Sequence, residues 1–313
     1  MSELLKSVDA RTKLAGTNKL EILMFTLGTN LNTGRREVFG INVFKVREVM
    51  RVPPITRAPE MPAAVEGMVS LRGALVPVID LAKYAGIPTD TAPGIMIITE
   101  YNGHTQGFLV EAVDTILRLD WSSMRVPPEM LNAQMGGLVT AVTELPDRRL
   151  VMMMDVEKVL AETGHFSDDL AFKNVHPLAV SGKTVFYADD SSVARKQIER
   201  TLEAMQVNGI SAVNGRQAWD ELRRIADYAE ASRTPVTNFI QVILTDVEMP
   251  EMDGYMLTRK VKEDRRFANI PVLMHSSLSS QANQQLGLAV GVDEYVPKFE
   301  PHKLAQTLTR LLS

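Results

Sequence analysis

The 313-residue chain reads as two domains of different class, an all-β half followed by an α/β half. Two observations carry this division. From Lys19 to about Leu160 short β-rich runs are broken by turn residues, whereas after Gly182 strands alternate with helical stripes. The length agrees, because roughly 150 residues make one domain. With 45% hydrophobic and 23% charged residues, the composition is that of a soluble globular protein able to fill two cores.

In the first half, strands are predicted at residues 21–27, 37–43, 74–79, 94–99, 106–113 and 149–154. Thr33-Gly34, Asn102-Gly103 and Pro146-Asp147 mark turns between them. Short, evenly spaced strands of this kind predict a β-barrel or sandwich. A short closing helix is expected over residues 154–160. Residues 162–181 are mixed and polar, interrupted by Gly164 and Pro177, and read as a linker.

In the second half, residues 184–188 form an apolar strand. Val193, Ile198, Leu202 and Met205 then trace a helical stripe, with Ser191 or Ser192 as its N-cap. A strand at 209–213 precedes a helix marked by Ala218, Trp219, Leu222 and Ile225. Further strands follow at 239–245, 271–275 and 294–296. The last helix starts at Pro301, a favourable first-turn residue, with Leu304, Leu308 and Leu311 on one face. Five strands alternating with helices predict a parallel sheet covered on both faces.

Composition excludes several functions. The 34 basic residues are outnumbered by 38 acidic ones, and the small acidic excess is split evenly between the halves, so neither has the charge of a nucleic-acid binder. Without cysteine there is no disulfide framework, thiolate metal site or cysteine nucleophile. The N-terminus lacks a signal-peptide pattern and no apolar run is long enough to span a membrane, so a cytoplasmic protein without membrane insertion is expected. His104 and His165 are isolated, and His176, His275 and His302 lack the spacing of metal ligands. Ser181-Gly182-Lys183-Thr184 is not a phosphate loop, since Pro177 replaces the first glycine and a strand follows rather than a helix. The 17 methionines are core filling.

Chemistry concentrates in the second half. Asp189 and Asp190 close its first strand, Asp246 the third, Ser276 the fourth and Lys298 the fifth, while Tyr295 lies within the fifth. Open parallel sheets bind ligands at the carboxyl ends of their strands. Any one Asp there can simply cap a helix. Three crowded carboxylates, however, favour a bound cation, and an all-oxygen set suits Mg²⁺. A lysine and a hydroxyl beside them serve an additional anion. Together they match phosphoryl transfer to a carboxylate.

Leu244-Thr245-Asp246-Val247-Glu248-Met249-Pro250-Glu251-Met252-Asp253-Gly254 resembles the phosphoacceptor loop of two-component response-regulator receiver domains. The resemblance covers about residues 182–313 and implies a flavodoxin-like, CheY-like fold. It implies that Asp246 accepts a phosphoryl group from a histidine kinase. By the same resemblance, Asp189, Asp190, Asp246 and the backbone carbonyl of Glu248 hold Mg²⁺. Lys298 pairs with the phosphoryl oxygens, Ser276 moves to hydrogen-bond them, and Tyr295 is the aromatic switch. Glu248 and Leu278 stand at positions that tune dephosphorylation. Pro297 precedes the lysine and Phe299 follows it, whereas the family usually has Lys-Pro with a cis bond.

The first half by itself shows no clustered carboxylates, nucleophile triad or metal-ligand pair; Arg72, interrupting an apolar run, is its unusual residue. Gly67-Met68-Val69-Ser70-Leu71-Arg72-Gly73-Ala74-Leu75-Val76-Pro77-Val78-Ile79-Asp80-Leu81 resembles the signature of CheW-type chemotaxis coupling domains. Phe39-Gly40-Ile41-Asn42-Val43-Phe44-Lys45-Val46-Arg47-Glu48-Val49 matches a second segment of that family. The family fold is a double β-barrel, and its members bind chemoreceptors and the histidine kinase CheA. Val46, Glu48, Val49, Arg72 and Gly73 are the implied interface residues.

A CheW-like domain followed by a receiver resembles the CheV-type chemotaxis adaptors. The expected layout is an N-terminal segment at 1–17, a coupling domain at 18–163, a linker at 164–181 and a receiver at 182–313. The implied partners are CheA, methyl-accepting chemoreceptors and CheW in mixed arrays, with recruitment to receptor arrays at the membrane. Two alternatives stand beside this adaptor: a phosphate sink for CheA without a coupling role, and an aspartyl-phosphate phosphatase. The phosphatase wants a second Asp two residues after its nucleophile, where Glu248 stands.

Overall fold

Ten strands of the first half form two five-stranded sheets whose opposite faces share one core. The computed structural model describes residues 19–57, 59–101, 104–163, 172, 175–277 and 287–313. The expected N-terminal segment, the Asn102-Gly103 turn, His165 and Leu278 lie outside them. The chain divides near residue 165 into two compact units.

The strands of the first unit are β1 (Lys19–Thr26), β2 (Val38–Asn42), β3 (Val46–Arg51), β4 (Val65–Leu71), β5 (Ala74–Asp80), β6 (Ile95–Tyr101), β7 (His104–Val110), β8 (Ala112–Asp120), β9 (Val139–Glu144) and β10 (Leu150–Met154). Helix α1 (Leu81–Tyr84) follows β5, α2 (Glu129–Gln134) precedes β9, and α3 (Val156–Thr163) closes the unit as predicted. One sheet runs β8-β1-β2-β10-β9 and the other β3-β6-β7-β5-β4. Isolated antiparallel bridges link the segment after β8 to β9, Arg125 with Val142, and the segment after β3 to β4, Thr56 with Met68.

Alternation explains the apolar runs. Along β1, Leu20, Ile22 and Met24 enter a core inside the first sheet, while Leu23 and Phe25 enter the core shared by both sheets. In β6, Met96 and Ile98 point into the second sheet's own core and Ile97 into the shared one. Both faces are buried, so these strands read as continuous hydrophobic stretches. The predicted strand at 106–113 is two strands, because the chain crosses at Glu111 from the second sheet to the first. There the Glu111 N–H donates to the Thr26 carbonyl at 2.9 Å, and the Thr26 hydroxyl donates to the Glu111 carboxylate at 2.8 Å.

The second unit contains β11 (Thr184–Ala188), α4 (Ser192–Met205), β12 (Asn208–Ala212), α5 (Gly215–Ala231), β13 (Val242–Thr245), α6 (Gly254–Glu263), β14 (Val272–Ser276), β15 (Glu294–Pro297) and α7 (Pro301–Leu312). Its sheet runs β12-β11-β13-β14-β15, all parallel, with one core on each face. The order reverses between β11 and β13, which places the switch point beside their carboxyl ends. Ser191 is the α4 cap, its hydroxyl accepting from the Ala194 N–H at 3.4 Å. Leu312, with Leu304 and Leu308, forms the buried face of α7; Leu311 packs at its margin.

The linker expectation needs correction over its second part. Val175 is 8% exposed within the second unit's core, and Phe172 and Leu178 pack against that core. The Arg200 guanidinium on α4 lies 4.5 Å above the Phe172 ring, and the Leu178 N–H donates to the Met205 carbonyl at 2.8 Å. Spaced apolar residues in a polar context hid this contact. Val175→Ala is expected to lower the stability of the second unit by about 1.5 kcal/mol, since two methyl groups leave a buried site. Urea unfolding of that unit checks this; a free linker residue gives no change.

Gly254 opens α6 hard against the end of β13. A Cβ there would stand 1.9 Å from the Asp246 carbonyl oxygen, which is backbone and has nowhere to go. Gly254→Ala is therefore expected to cost at least about 2 kcal/mol. By contrast, Gly73→Ala meets no atom within 4 Å and pays only for its φ of +84°, about 1 kcal/mol. Paired denaturation curves test the difference.

Candidate functional site

Three strand ends of the second unit each deliver one side chain to a common point. Asp189 follows β11, Asp246 follows β13, and Lys298 follows β15. The neighbouring strands fix their backbones: the Asp246 N–H donates to the Ala188 carbonyl at 2.8 Å and the Lys298 N–H to the Ser276 carbonyl at 3.2 Å. Lys298 is 1% exposed, and its Nζ lies 2.9 Å from both Asp189 Oδ2 and Asp246 Oδ2. The other Asp246 oxygen, Oδ1, accepts the Val247 N–H at 2.6 Å. Asp189 Oδ1 accepts the Ser191 N–H at 2.9 Å.

Asp190 completes the acidic group. One carboxylate oxygen from each of Asp189, Asp190 and Asp246 lies within 4.8 Å of the others. Asp189 and Asp246 are buried, while Asp190 is half-buried and gives access from solvent. Three carboxylates against one ammonium leave an excess of negative charge in a low-dielectric place. Hard oxygen donors with that charge fit Mg²⁺. Glu248, also buried, lies two residues beyond Asp246.

The loop after Asp246 is held from below. Met249 and Met252 are buried in the core on one face of the sheet, so the Met-Pro-Glu-Met stretch is anchored by its apolar residues. Asp253 caps α6 by accepting the Met256 N–H at 2.7 Å. Glu251 takes a φ of +66° at the tip.

Ser276, fully buried at the end of β14, is hydrogen-bonded to the Tyr295 hydroxyl. Burial pushes the Tyr295 hydroxyl above the usual tyrosine value, and the bond to Ser276 works the other way. Tyr255, at the start of α6, is raised in the same direction by burial and then by Tyr295 and the nearby carboxylates. The predicted set of Asp189, Asp190, Asp246 and Lys298 is thus brought together, with Ser276 and Tyr295 paired alongside. The peptide bonds described are all trans, including the one that follows Lys298.

One residue of this neighbourhood escaped the sequence reading. Arg195, in the first turn of α4, donates from one guanidinium nitrogen to the carbonyls of Asp189 at 2.8 Å and Asp190 at 2.9 Å. Its only sequence signal was a cation where helix geometry disfavours one.

In the first unit, Arg72 and Gly73 form the two-residue turn joining β4 to β5, both with positive φ. Arg72 Nη2 lies 2.8 Å from Glu48 Oε2 on β3, so two of the implied interface residues are an ion pair on the surface. Val49 is half-buried against the shared core, and Val46 is inside it at 7% exposed, supporting the strand from within. Among the described residues no helix is long and apolar enough to cross a membrane.

Comparison with known proteins agrees with both halves. Residues 21–164 match the CheW-like domain family and residues 185–309 the response regulator receiver domain family. The chain is 30% identical to chemotaxis protein CheV3 of Helicobacter pylori, covering 88% of each protein. It is 27% identical to CheV1 of the same organism, covering 100% of this chain and 99% of that protein. Chemotaxis protein CheW of Klebsiella aerogenes is 32% identical, over 48% of this chain and 87% of its own. An acidic strand-end site in one unit and a CheW-like unit before it, matched nearly end to end by such relatives, place this chain in the CheV family of chemotaxis signal-transduction adaptors.

Proposed function

We propose that the CheW-like unit couples chemoreceptors to the histidine kinase CheA, and that phosphorylation of Asp246 regulates this coupling. The supporting observation is the buried Asp189–Lys298–Asp246 bridge at the strand ends, with the half-buried Asp190 beside it. In this mechanism a carboxylate oxygen of Asp246 attacks the phosphorus of a CheA phosphohistidine. The P–O bond forms as the P–N bond breaks and the imidazole leaves. Lys298 stays in place and shifts its ammonium from the carboxylate to the phosphoryl oxygens. Asp189, Asp190, Asp246 and the Glu248 carbonyl hold Mg²⁺ in this proposal. When bound, the ion offsets charge on the transferred group.

Ser276 has one hydroxyl proton. Once a phosphoryl oxygen is within reach, that proton is better used there than on the neutral Tyr295 hydroxyl, because hydrogen bonds to ionised acceptors are the stronger ones. Tyr295 is then released to repack, which shifts an existing equilibrium of the receiver surface. Acylphosphate formation and loss are self-modification of Asp246. On the first unit, the exposed Arg72–Glu48 pair and Val49 offer the contact region for receptor or kinase, with CheW as a neighbour in mixed arrays at the membrane.

Two outcomes are expected. Asp246→Asn takes up no label from phosphorylated CheA, whereas stoichiometric uptake moves the acceptor elsewhere. Arg72→Glu sets two acids against each other and should weaken co-sedimentation with receptor arrays on the order of tenfold, about 1.4 kcal/mol. Labelling at Asp246 should be unchanged in that variant; unaltered co-sedimentation removes Arg72 from the interface.

A further inference from the structure

Arg195 occupies a position that α4 alone does not favour. A cation in the first turn of a helix opposes the positive end of the helix dipole. Its compensation is local: one guanidinium nitrogen bridges the carbonyls of Asp189 and Asp190. These are consecutive residues, both in the acidic group, and the second is its half-buried member. On the same turn the Asp189 N–H donates to the Ala212 carbonyl at 3.2 Å, and its Oδ1 accepts from the Ser191 N–H. The backbone of Asp190 leaves β11 at this point, and Arg195 grips its carbonyl.

We propose that Arg195 is a positioning residue for the cation site, fixing the peptide planes of Asp189 and Asp190 so that the Asp190 carboxylate faces the other two. The inference rests on the assignment of the acidic group as a Mg²⁺ site. It differs from two simpler roles by the sign of its effect. A purely structural residue changes the melting temperature and leaves Mg²⁺ affinity unaltered. A residue acting only through its charge repels the ion, so removing it tightens binding. A positioning residue is needed for binding, and removing it weakens the site even though a positive charge has been taken away. Partners that orient metal ligands typically contribute tenfold or more in affinity.

The test is calorimetric titration of Mg²⁺ into the full chain and into Arg195→Met, below the melting temperature of both. Arg195→Met is expected to bind Mg²⁺ about tenfold more weakly. Equal or tighter binding overturns the proposal while leaving the Mg²⁺ site itself standing. If the unaltered chain takes up no Mg²⁺, the site assignment and this inference fall together. Should Arg195→Met not fold, Arg195→Gln decides, being neutral and too short to bridge both carbonyls. Weaker binding by that variant supports the proposal, and equal or tighter binding overturns it.

Discussion

The ammonium of Lys298 sits 1% exposed between two carboxylates, each 2.9 Å away. A charge buried this deeply is tolerated because its partners are fixed, and losing one partner of such a group typically costs about 3–5 kcal/mol. The rest of the second unit can be understood as the means of holding those partners still. Parallel pairing sets the height of every strand end, so Asp189, Asp246 and Lys298 arrive together without long loops. Gly254 lets α6 lie directly on the Asp246 carbonyl, and Met249 and Met252 pin the intervening loop into the core. The lysine bridges two acids of a group of three, which leaves negative charge for a further cation to balance.

Much of this was legible because the chemistry lies at strand ends. The acid pair, the isolated acid and the lysine each close an apolar run, and a parallel sheet converts that sequence position into a place in space. Arg195 was not legible in the same way. Its partners are backbone carbonyls, which carry no sequence signal, and a cation in a first helical turn does not name what it holds. The packing of Phe172, Val175 and Leu178 was missed for a related reason, since three scattered apolar residues have no period of their own.

In the first unit the boundary of legibility follows the sheet order. Strands β1, β2, β10, β5, β6 and β7 were all anticipated, and each is an interior strand of its sheet. Strands β3, β4, β8 and β9 were not, and each is an edge. Edge strands carry polar residues that discourage pairing with another chain, and this weakens the apolar pattern that betrays a strand. Val46–Arg51 contains two arginines and a glutamate, and no residue of β8 is buried. The ion pair between Glu48 and Arg72 lies on this polar margin, joining β3 to the turn that ends β4.

The two-sided burial of β1 bears on how the chain finds its pairing. In a sheet with one wet face, a slip by one residue exposes the whole apolar set and corrects itself. Here a slip trades one buried set for another, Leu23 and Phe25 for Ile22 and Met24, and hydrophobicity alone would not object. The register marks are instead Glu21 and Gly40. Glu21 is itself buried with its carboxylate paired to Arg118, and a slip would part the two. Gly40 lies opposite Met24, and a Cβ on it would meet the Met153 sulfur at 3.0 Å. One acid and one missing side chain thus give the central strands a fidelity that their apolar residues cannot.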